Sequence, residues 1–129
     1  MGGSIYRDFD IDTVDDGDTV RLVVRGELDL ATAPRLSERL AEIEATAAPL
    51  IVIDLTGVPF IDSTGLRALL EADFRSRENG SRLRMTEGCA QAQRLFELAG
   101  VVDGLPFLSP GEAKAAGRAT PTEPPPQGM

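Results

Sequence analysis

The sequence predicts an α/β fold: one small domain whose mostly parallel sheet has four or five strands, opens with a β-hairpin and is covered by three to four helices. Two observations predict it. Short apolar runs alternate with longer segments of helical periodicity, an order typical of parallel strands joined by crossover helices. Before them, two strand-like segments flank the turn sequence DDGD, which favours a hairpin. The length of 129 residues fits a single domain.

The strands are predicted from apolar residues that alternate with polar ones or form a short unbroken run. The run LIVIDL lies between Pro49 and the pair Thr56–Gly57, so we expect a buried parallel strand there. The predicted strands lie in SIYRDFDIDTV, TVRLVVRGELDL, LIVIDL and RLRMTE, with a last short strand near Leu105 to Leu108.

The helices are predicted from apolar residues at helical spacing. We expect Thr32 to cap the first helix, with Pro34 in its first turn. The second helix runs from about Ser63 to about Asn79. The third lies in CAQAQRLFELAG and ends at Gly100, and SPGEAKAAG favours one or two further helical turns. The apolar stripe of the second helix is predicted to consist of Leu66, Leu69, Leu70 and Phe74.

The end of the chain differs in composition. From Gly117 onward, the sequence GRATPTEPPPQGM is rich in proline and has no large apolar side chain before Met129. Such a segment buries too little surface to offset the entropy lost on ordering. We therefore expect a domain over residues 1–116 and a disordered tail over residues 117–129.

Composition argues against several classes of function. A net charge of −8 repels the phosphate backbone of nucleic acids. The absence of histidine removes the Ser-His-Asp triad and the commonest metal ligand, and Cys89 alone makes neither an internal disulfide nor a zinc site. We expect no catalytic residue, no metal and no cofactor. The chain has no apolar run of membrane-spanning length and no secretory signal, so we expect a cytoplasmic protein.

A polar cluster, Asp62, Ser63, Thr64 and Gly65, lies between the LIVIDL strand with its loop and the second helix. If that strand is parallel, the cluster lies beyond its carboxyl end, where ligand sites of α/β sheets gather. The free N–H groups of the helix start also favour an anionic group. Asp62 or Ser63 as a plain helix cap is an alternative explanation. It leaves Gly65 unexplained, because glycine inside a helix costs about 1 kcal/mol relative to alanine.

A second polar cluster, RGELDL, ends the second predicted strand. If this strand is parallel and adjacent to LIVIDL, both connections leave the same edge of the sheet. Asp29 would then lie near Ser63. A role for Asp29 as a cap or turn residue is the alternative.

Three segments together resemble the STAS domain and, within it, the bacterial anti-sigma factor antagonists: VRGELDLATAPRL, IVIDLTGVPFIDSTGLRALL and LRMTEGCAQAQRLFELAGVVDGLPFL. The resemblance runs from about Tyr6 to Leu108. It implies that Ser63 is phosphorylated by a partner serine/threonine kinase that is also the anti-sigma factor. The unmodified antagonist would bind this kinase and free the sigma factor. Phosphorylation would release the antagonist, and a serine phosphatase would reset it.

The neighbours of Ser63 are expected to support this role. Thr64 is an alternative phosphoacceptor, although its place further into the helix turns it toward the sheet. Asp62 and Asp29 are expected to orient the serine or to contact the partner, and each has a plain capping role as its alternative.

Three further residues follow on the same helix. Gly65 would permit close approach of the kinase, and its alternative role is close packing of the helix on a strand. Arg67 and Glu71 are candidate partner contacts, and their alternative is a merely solvated face.

Other functions remain open at this point. A STAS domain could serve as a scaffold or transport-associated docking subunit without a dedicated kinase. An enzyme or nucleotide binder would use Asp54 at a strand end, but the second aspartate of an Asp-x-Asp motif and a glycine-rich phosphate loop are both missing. A plain structural domain would leave both polar clusters unexplained. The pattern does not decide between monomer and dimer.

Overall fold

The structure, a computed structural model, describes residues 9–108. Over that range the chain forms one four-stranded sheet in the order β1-β2-β3-β4, together with three helices, so the predicted fold class is confirmed. The elements are β1 Asp10–Asp15, β2 Thr19–Arg25, α1 Ala33–Glu44, β3 Leu50–Gly57, α2 Ser63–Glu78, β4 Leu83–Met85 and α3 Ala90–Ala99.

The sheet opens with the predicted hairpin, because β1 pairs antiparallel with β2. The turn is closed by the N–H of Asp16, which donates to the carbonyl of Thr19 at 2.8 Å. Gly17 has a φ of 83°, a conformation that glycine adopts without steric cost. Its N–H donates to the carboxylate of Asp15 at 2.9 Å.

One arginine joins the far end of this hairpin. Arg25 on β2 donates to the carboxylates of Asp10 at 2.8 Å and Asp12 at 2.9 Å, both on β1. The hydrogen bonds to Asp12 and Asp10 raise the pKa of the Arg25 guanidinium above its ordinary value. Because arginine is already protonated at all ordinary pH values, this shift produces no titration.

The other strands are parallel, as predicted. β3 pairs in parallel with β2 on one side and with β4 on the other. The carboxyl ends of β2, β3 and β4 therefore lie at one edge of the sheet. The connections that follow β2 and β3 leave the sheet at this edge.

The hydrophobic core lies on one face of the sheet. Alternate strand residues point to the same face, and those on the core face of β2 and β3 include Leu22 and Ile53, which are both fully buried. All three helices contribute to this single core. The helix residues in it are Ala33, Leu36, Leu40, Ile43, Leu66, Ala68, Leu69, Ala72, Ala92 and Phe96.

The prediction that the Thr32 side chain caps α1 is wrong. Thr32 does occupy the N-cap position, but its side chain makes no capping hydrogen bond. It is buried, and its Oγ1 donates to the carbonyl of Glu27 at 2.7 Å. The hydroxyl is therefore used to fold the connection before the helix. Pro34 lies in the first turn, as predicted.

The predicted apolar stripe of α2 is wrong at its end. Leu66 and Leu69 are buried, Leu70 is half-buried, and Phe74 is 63% exposed. Helical spacing from Leu66 and Leu69 leads to position 73 rather than 74, and Asp73 is the buried residue there. Asp73 forms an ion pair with Arg77 at 3.0 Å, which allows a carboxylate at the margin of the core.

The last predicted strand is reduced to a single bridge between Phe107 and Met85. Hydrogen bonds of 3.0 Å and 2.9 Å join Met85 to Pro106 and Leu108. The start of the first predicted strand at Ile5, the helical turns in SPGEAKAAG, the boundary at residue 116 and the tail all lie outside the described residues.

The contrast between Leu69 and Phe74 gives a stability prediction within one helix. Leu69→Ala removes a fully buried side chain and should lower the free energy of unfolding by about 2–5 kcal/mol. Phe74→Ala removes an exposed side chain and should change it by less than about 0.5 kcal/mol. Urea denaturation of both variants measures the difference, and equal losses would mean that α2 is rotated from the position described.

Candidate functional site

The connection between β3 and α2 is joined along its length to the connection between β2 and α1. The N–H of Leu28 donates to the carbonyl of Phe60 at 2.9 Å, and the N–H of Asp62 donates to the carbonyl of Leu28 at 3.2 Å. Leu28 and Ile61 thereby form a parallel bridge beyond the ends of the strands. Asp29 follows Leu28 directly, and Ser63 follows Asp62. The expectation that both connections leave the same edge is confirmed.

Asp62 is the N-cap of α2. Its backbone is extended, and its carboxylate accepts a hydrogen bond from the N–H of Gly65 at 2.9 Å. Ser63 is therefore the first helical residue and does not cap the helix. Its side chain is exposed, whereas that of Thr64 is half-buried. The arrangement presents the Ser63 hydroxyl at a positive helix end, where an added anion is stabilised.

Gly65 packs inside the domain. It is buried, and a Cβ at this position would lie 2.5 Å from the carbonyl oxygen of Leu28 and 3.0 Å from Cγ2 of Ile61. The missing side chain lets the first turn of α2 rest on the bridge between Leu28 and Ile61. The expectation that Gly65 gives a kinase room to approach is therefore wrong, and the alternative of close packing is correct.

Asp29 shapes the neighbouring connection. Its Oδ1 accepts hydrogen bonds from the N–H groups of Ala31 at 3.0 Å and Thr32 at 3.2 Å. These local contacts make it a turn residue, the role that was its alternative. The carboxylate still adds a negative charge to the edge that carries Ser63, and the turn presents Leu30 to solvent with 73% of its surface exposed.

Arg67 and Glu71 lie further along α2. Both side chains are exposed and their charged groups are 3.7 Å apart, one helical turn from each other. An exposed ion pair of this kind contributes little to stability, typically below about 1 kcal/mol. The pair is therefore available to a partner at little cost to the fold.

Two apolar residues beside Ser63 are exposed. Large exposed hydrophobic side chains among residues 9–108 are few, and two of them, Leu30 and Phe60, lie on the two joined connections. Exposed apolar side chains are more frequent at protein-binding surfaces than elsewhere on a protein surface. Neither residue is among the predicted site residues, because an apolar residue near a strand end is ordinarily assigned to the core.

Gln91 was also missed. Its Oε1 accepts from the N–H of Ile61 at 3.0 Å, and its Nε2 donates to the carbonyl of the same residue at 2.9 Å. A glutamine near the start of a helix has no local signature for a contact with a backbone thirty positions away. Only the packing of α3 beside the β3–α2 connection places it there.

Between residues 9 and 108, no group of three or more His, Cys, Asp or Glu side chains is arranged to hold a metal ion. None of the helices in this range combines the length and apolar character that crossing a bilayer requires.

The family model described as "Mlab, STAS domain" matches residues 11–108. The chain belongs to the STAS domain family. Among curated STAS relatives, the anti-sigma-B factor antagonist of Listeria monocytogenes is 35% identical over 88 residues, which cover 68% of this chain and 77% of the relative.

Solved structures of the same fold include an anti-sigma factor antagonist from Mycobacterium paratuberculosis. It has a TM-score of 0.70 and 26% identity, and the match covers 84% of this STAS domain chain and 92% of that one. The Bacillus cell fate determinant SpoIIAA in its phosphorylated form has a TM-score of 0.57 and 19% identity over 85% of this chain and 99% of that one. At this identity the likeness to SpoIIAA concerns the fold alone.

The packing of Gly65 gives a second prediction. Gly65→Ala should lower the free energy of unfolding by about 1–3 kcal/mol, because its methyl group meets the Leu28 carbonyl, although alanine is the better helix former. Gly104→Ala is the matched control, since its Cβ would have only one neighbour, at 3.7 Å. Chemical denaturation checks both, and a Gly65→Ala domain as stable as the control would contradict the described contact.

The cap gives a third prediction. Asp62→Ala should lower the free energy of unfolding by about 1 kcal/mol, because the Gly65 N–H loses its acceptor. Asp62→Asn keeps an oxygen in place and should retain most of the stability. Thermal unfolding compares the two, and an equal loss in both variants would show that the charge of Asp62, rather than its hydrogen bond, supports the helix.

Proposed function

We propose that this STAS domain is an anti-sigma factor antagonist controlled by phosphorylation of Ser63. Unphosphorylated, it binds an anti-sigma factor that is a serine/threonine kinase, and the sigma factor is released. Phosphorylation of Ser63 by that kinase ends the complex, and a serine phosphatase restores the unmodified form. The domain acts in the cytoplasm by binding, without catalysis of its own.

The observation that carries this proposal is that Ser63, the first residue of α2, is exposed. Asp62 takes the capping role, so the serine is not needed to hold the helix. Thr64, the alternative phosphoacceptor, is half-buried and less accessible to a kinase. The names of the relatives support the same function, since the Listeria and Mycobacterium proteins are antagonists of anti-sigma factors.

The surroundings of Ser63 support a change of surface rather than a change of fold. A phosphate adds about −1.5 to −2 charges at neutral pH, and the helix N-terminus stabilises that charge in the free domain. In a complex, the same dianion would have to lose water beside the exposed side chains of Leu30 and Phe60. A penalty of about 1.4 kcal/mol already weakens binding tenfold.

The proposed partner surface combines three features. Leu30 and Phe60 supply apolar contact, Ser63 supplies the switch, and Arg67 with Glu71 supplies charges of both signs on the adjacent helix face. Leu30, Phe60 and Ser63 all lie on the two hydrogen-bonded connections or directly after them, so a partner that binds both connections reaches Ser63. Phosphorylation of Ser63 would therefore change the surface that binds the partner.

The decisive experiment is a phosphorylation assay with a candidate anti-sigma factor kinase from the same organism. Incubation with kinase and Mg-ATP should add one phosphate, and peptide mass spectrometry should place it on Ser63. The phosphate should be absent from Ser63→Ala and present on Thr64→Ala. Phosphate on Thr64 in the wild-type chain would overturn the assignment to Ser63.

A binding assay with the same kinase completes the test. Ser63→Ala should retain the affinity of the unmodified domain, and Ser63→Asp should bind at least about tenfold more weakly, because a carboxylate in the interface resists desolvation. Equal affinities for both variants, with no phosphate on the wild-type chain, would replace the switch with the scaffold function.

A further inference from the structure

Ile61, two residues before Ser63, is held from both sides. In an extended chain, the N–H and carbonyl of one residue point to one side, and those of its neighbours point to the other. Leu28 uses the groups on one side, the Phe60 carbonyl and the Asp62 N–H. The two groups of Ile61 itself point the opposite way, and both are bonded to the side chain of Gln91.

The amide of Gln91 thus takes the place of a neighbouring strand. A primary amide offers one carbonyl acceptor and N–H donors, the same pair of groups that a peptide unit offers. β4 is the neighbour of β3 on this side of the sheet, but it ends at Met85, before it can reach the level of Ile61. α3 follows, and Gln91 in its first turn completes the pairing that β4 leaves unfinished.

The start of α3, which carries Gln91, is held in place by contacts of its own. Cys89 is the N-cap of α3, and its Sγ lies 3.4 Å from the carbonyl of Pro59, in hydrogen-bonding geometry. Gln93 accepts a hydrogen bond from the N–H of Gly88 at 2.7 Å, and Phe96 anchors the helix in the core. The start of α3 therefore cannot shift without disturbing the connection that carries Ser63.

We propose that Gln91 is a positioning residue for the phosphorylation of Ser63, an inference that rests on the proposed function. It acts through the peptide of Ile61 and does not touch the phosphate. By pairing with that peptide it fixes the path of the chain into the Asp62 cap and so places the Ser63 hydroxyl. The Ser63 oxygen bonds to the γ-phosphorus of ATP as the bond to the leaving ADP breaks, and the hydroxyl proton passes to a base of the kinase. Phosphoryl transfer is sensitive to such placement, because a misplacement of about 1 Å can cost about a hundredfold in rate.

The first test is amide hydrogen exchange measured by NMR, which needs no partner. In Gln91→Ala the Ile61 N–H loses its acceptor, and its exchange should become about tenfold faster. Arg94→Ala is the matched control, since Arg94 is exposed on the same helix and none of the described contacts involves its side chain. Exchange of Ile61 that is no faster in Gln91→Ala than in this control would overturn the proposal.

The second test is steady-state phosphorylation by the kinase that modifies the wild-type domain. In Gln91→Ala, kcat should fall about tenfold with KM within about twofold, because the partner surface at Leu30 and Phe60 is intact while the hydroxyl is less well placed. Gln91→Glu keeps an acceptor for the Ile61 N–H, but its second carboxylate oxygen would repel the Ile61 carbonyl oxygen where the amide had donated a hydrogen bond. We therefore expect kcat to fall in this variant as well. Arg94→Ala should behave as wild type. The assay temperature is kept well below the thermal midpoint of every variant, so that loss of folded protein does not account for a lower kcat.

The outcomes separate the two proposals. A wild-type domain that is phosphorylated on Ser63, with unchanged kcat in both Gln91 variants, would overturn the role of Gln91 and leave the proposed function standing. A wild-type domain that its kinase binds but does not phosphorylate on Ser63 would overturn the phosphorylation switch, and with it the positioning role.

Discussion

The backbone of Leu28 is the contact on which the site depends. It pairs with Phe60 and Asp62 on the neighbouring connection, and its carbonyl lies so close to α2 that only glycine fits at position 65. These contacts hold the β2–α1 and β3–α2 connections side by side. This pairing extends the parallel alignment of β2 and β3 past the ends of the strands. The start of α2 and the orientation of its first residue both follow from it.

The polar residues at this edge have separate roles. The carboxylates of Asp29 and Asp62 accept hydrogen bonds from backbone N–H groups of their own segments, so they determine the shape of the two connections. Ser63 is exposed, and its side chain makes none of these hydrogen bonds. A modification at such a position changes the charge of the surface without removing a hydrogen bond that the fold uses. This separation makes the proposed switch compatible with a domain that stays folded in both states.

Sequence patterns failed at positions where the outcome depends on a neighbour in space. Periodicity placed an apolar stripe on α2, but the rotation of the helix on the sheet decided that Asp73 is buried and Phe74 exposed. Thr32 has the chemistry of a capping residue, yet its hydroxyl is drawn to the carbonyl of Glu27. Gln91 gave no signal at all, because a side-chain amide that pairs with a distant peptide follows no local pattern.

Local patterns were enough to predict the order of strands and helices, the parallel sheet behind an opening hairpin, and the position of the Asp62–Ser63 junction at the carboxyl edge. These features depend on local periodicity, capping and chain order, which are written in contiguous residues. Long-range packing explains which polar groups form hydrogen bonds, why position 65 requires glycine, and why Leu30 and Phe60 are exposed. Those outcomes depend on distances between segments far apart in the chain, which no local pattern contains.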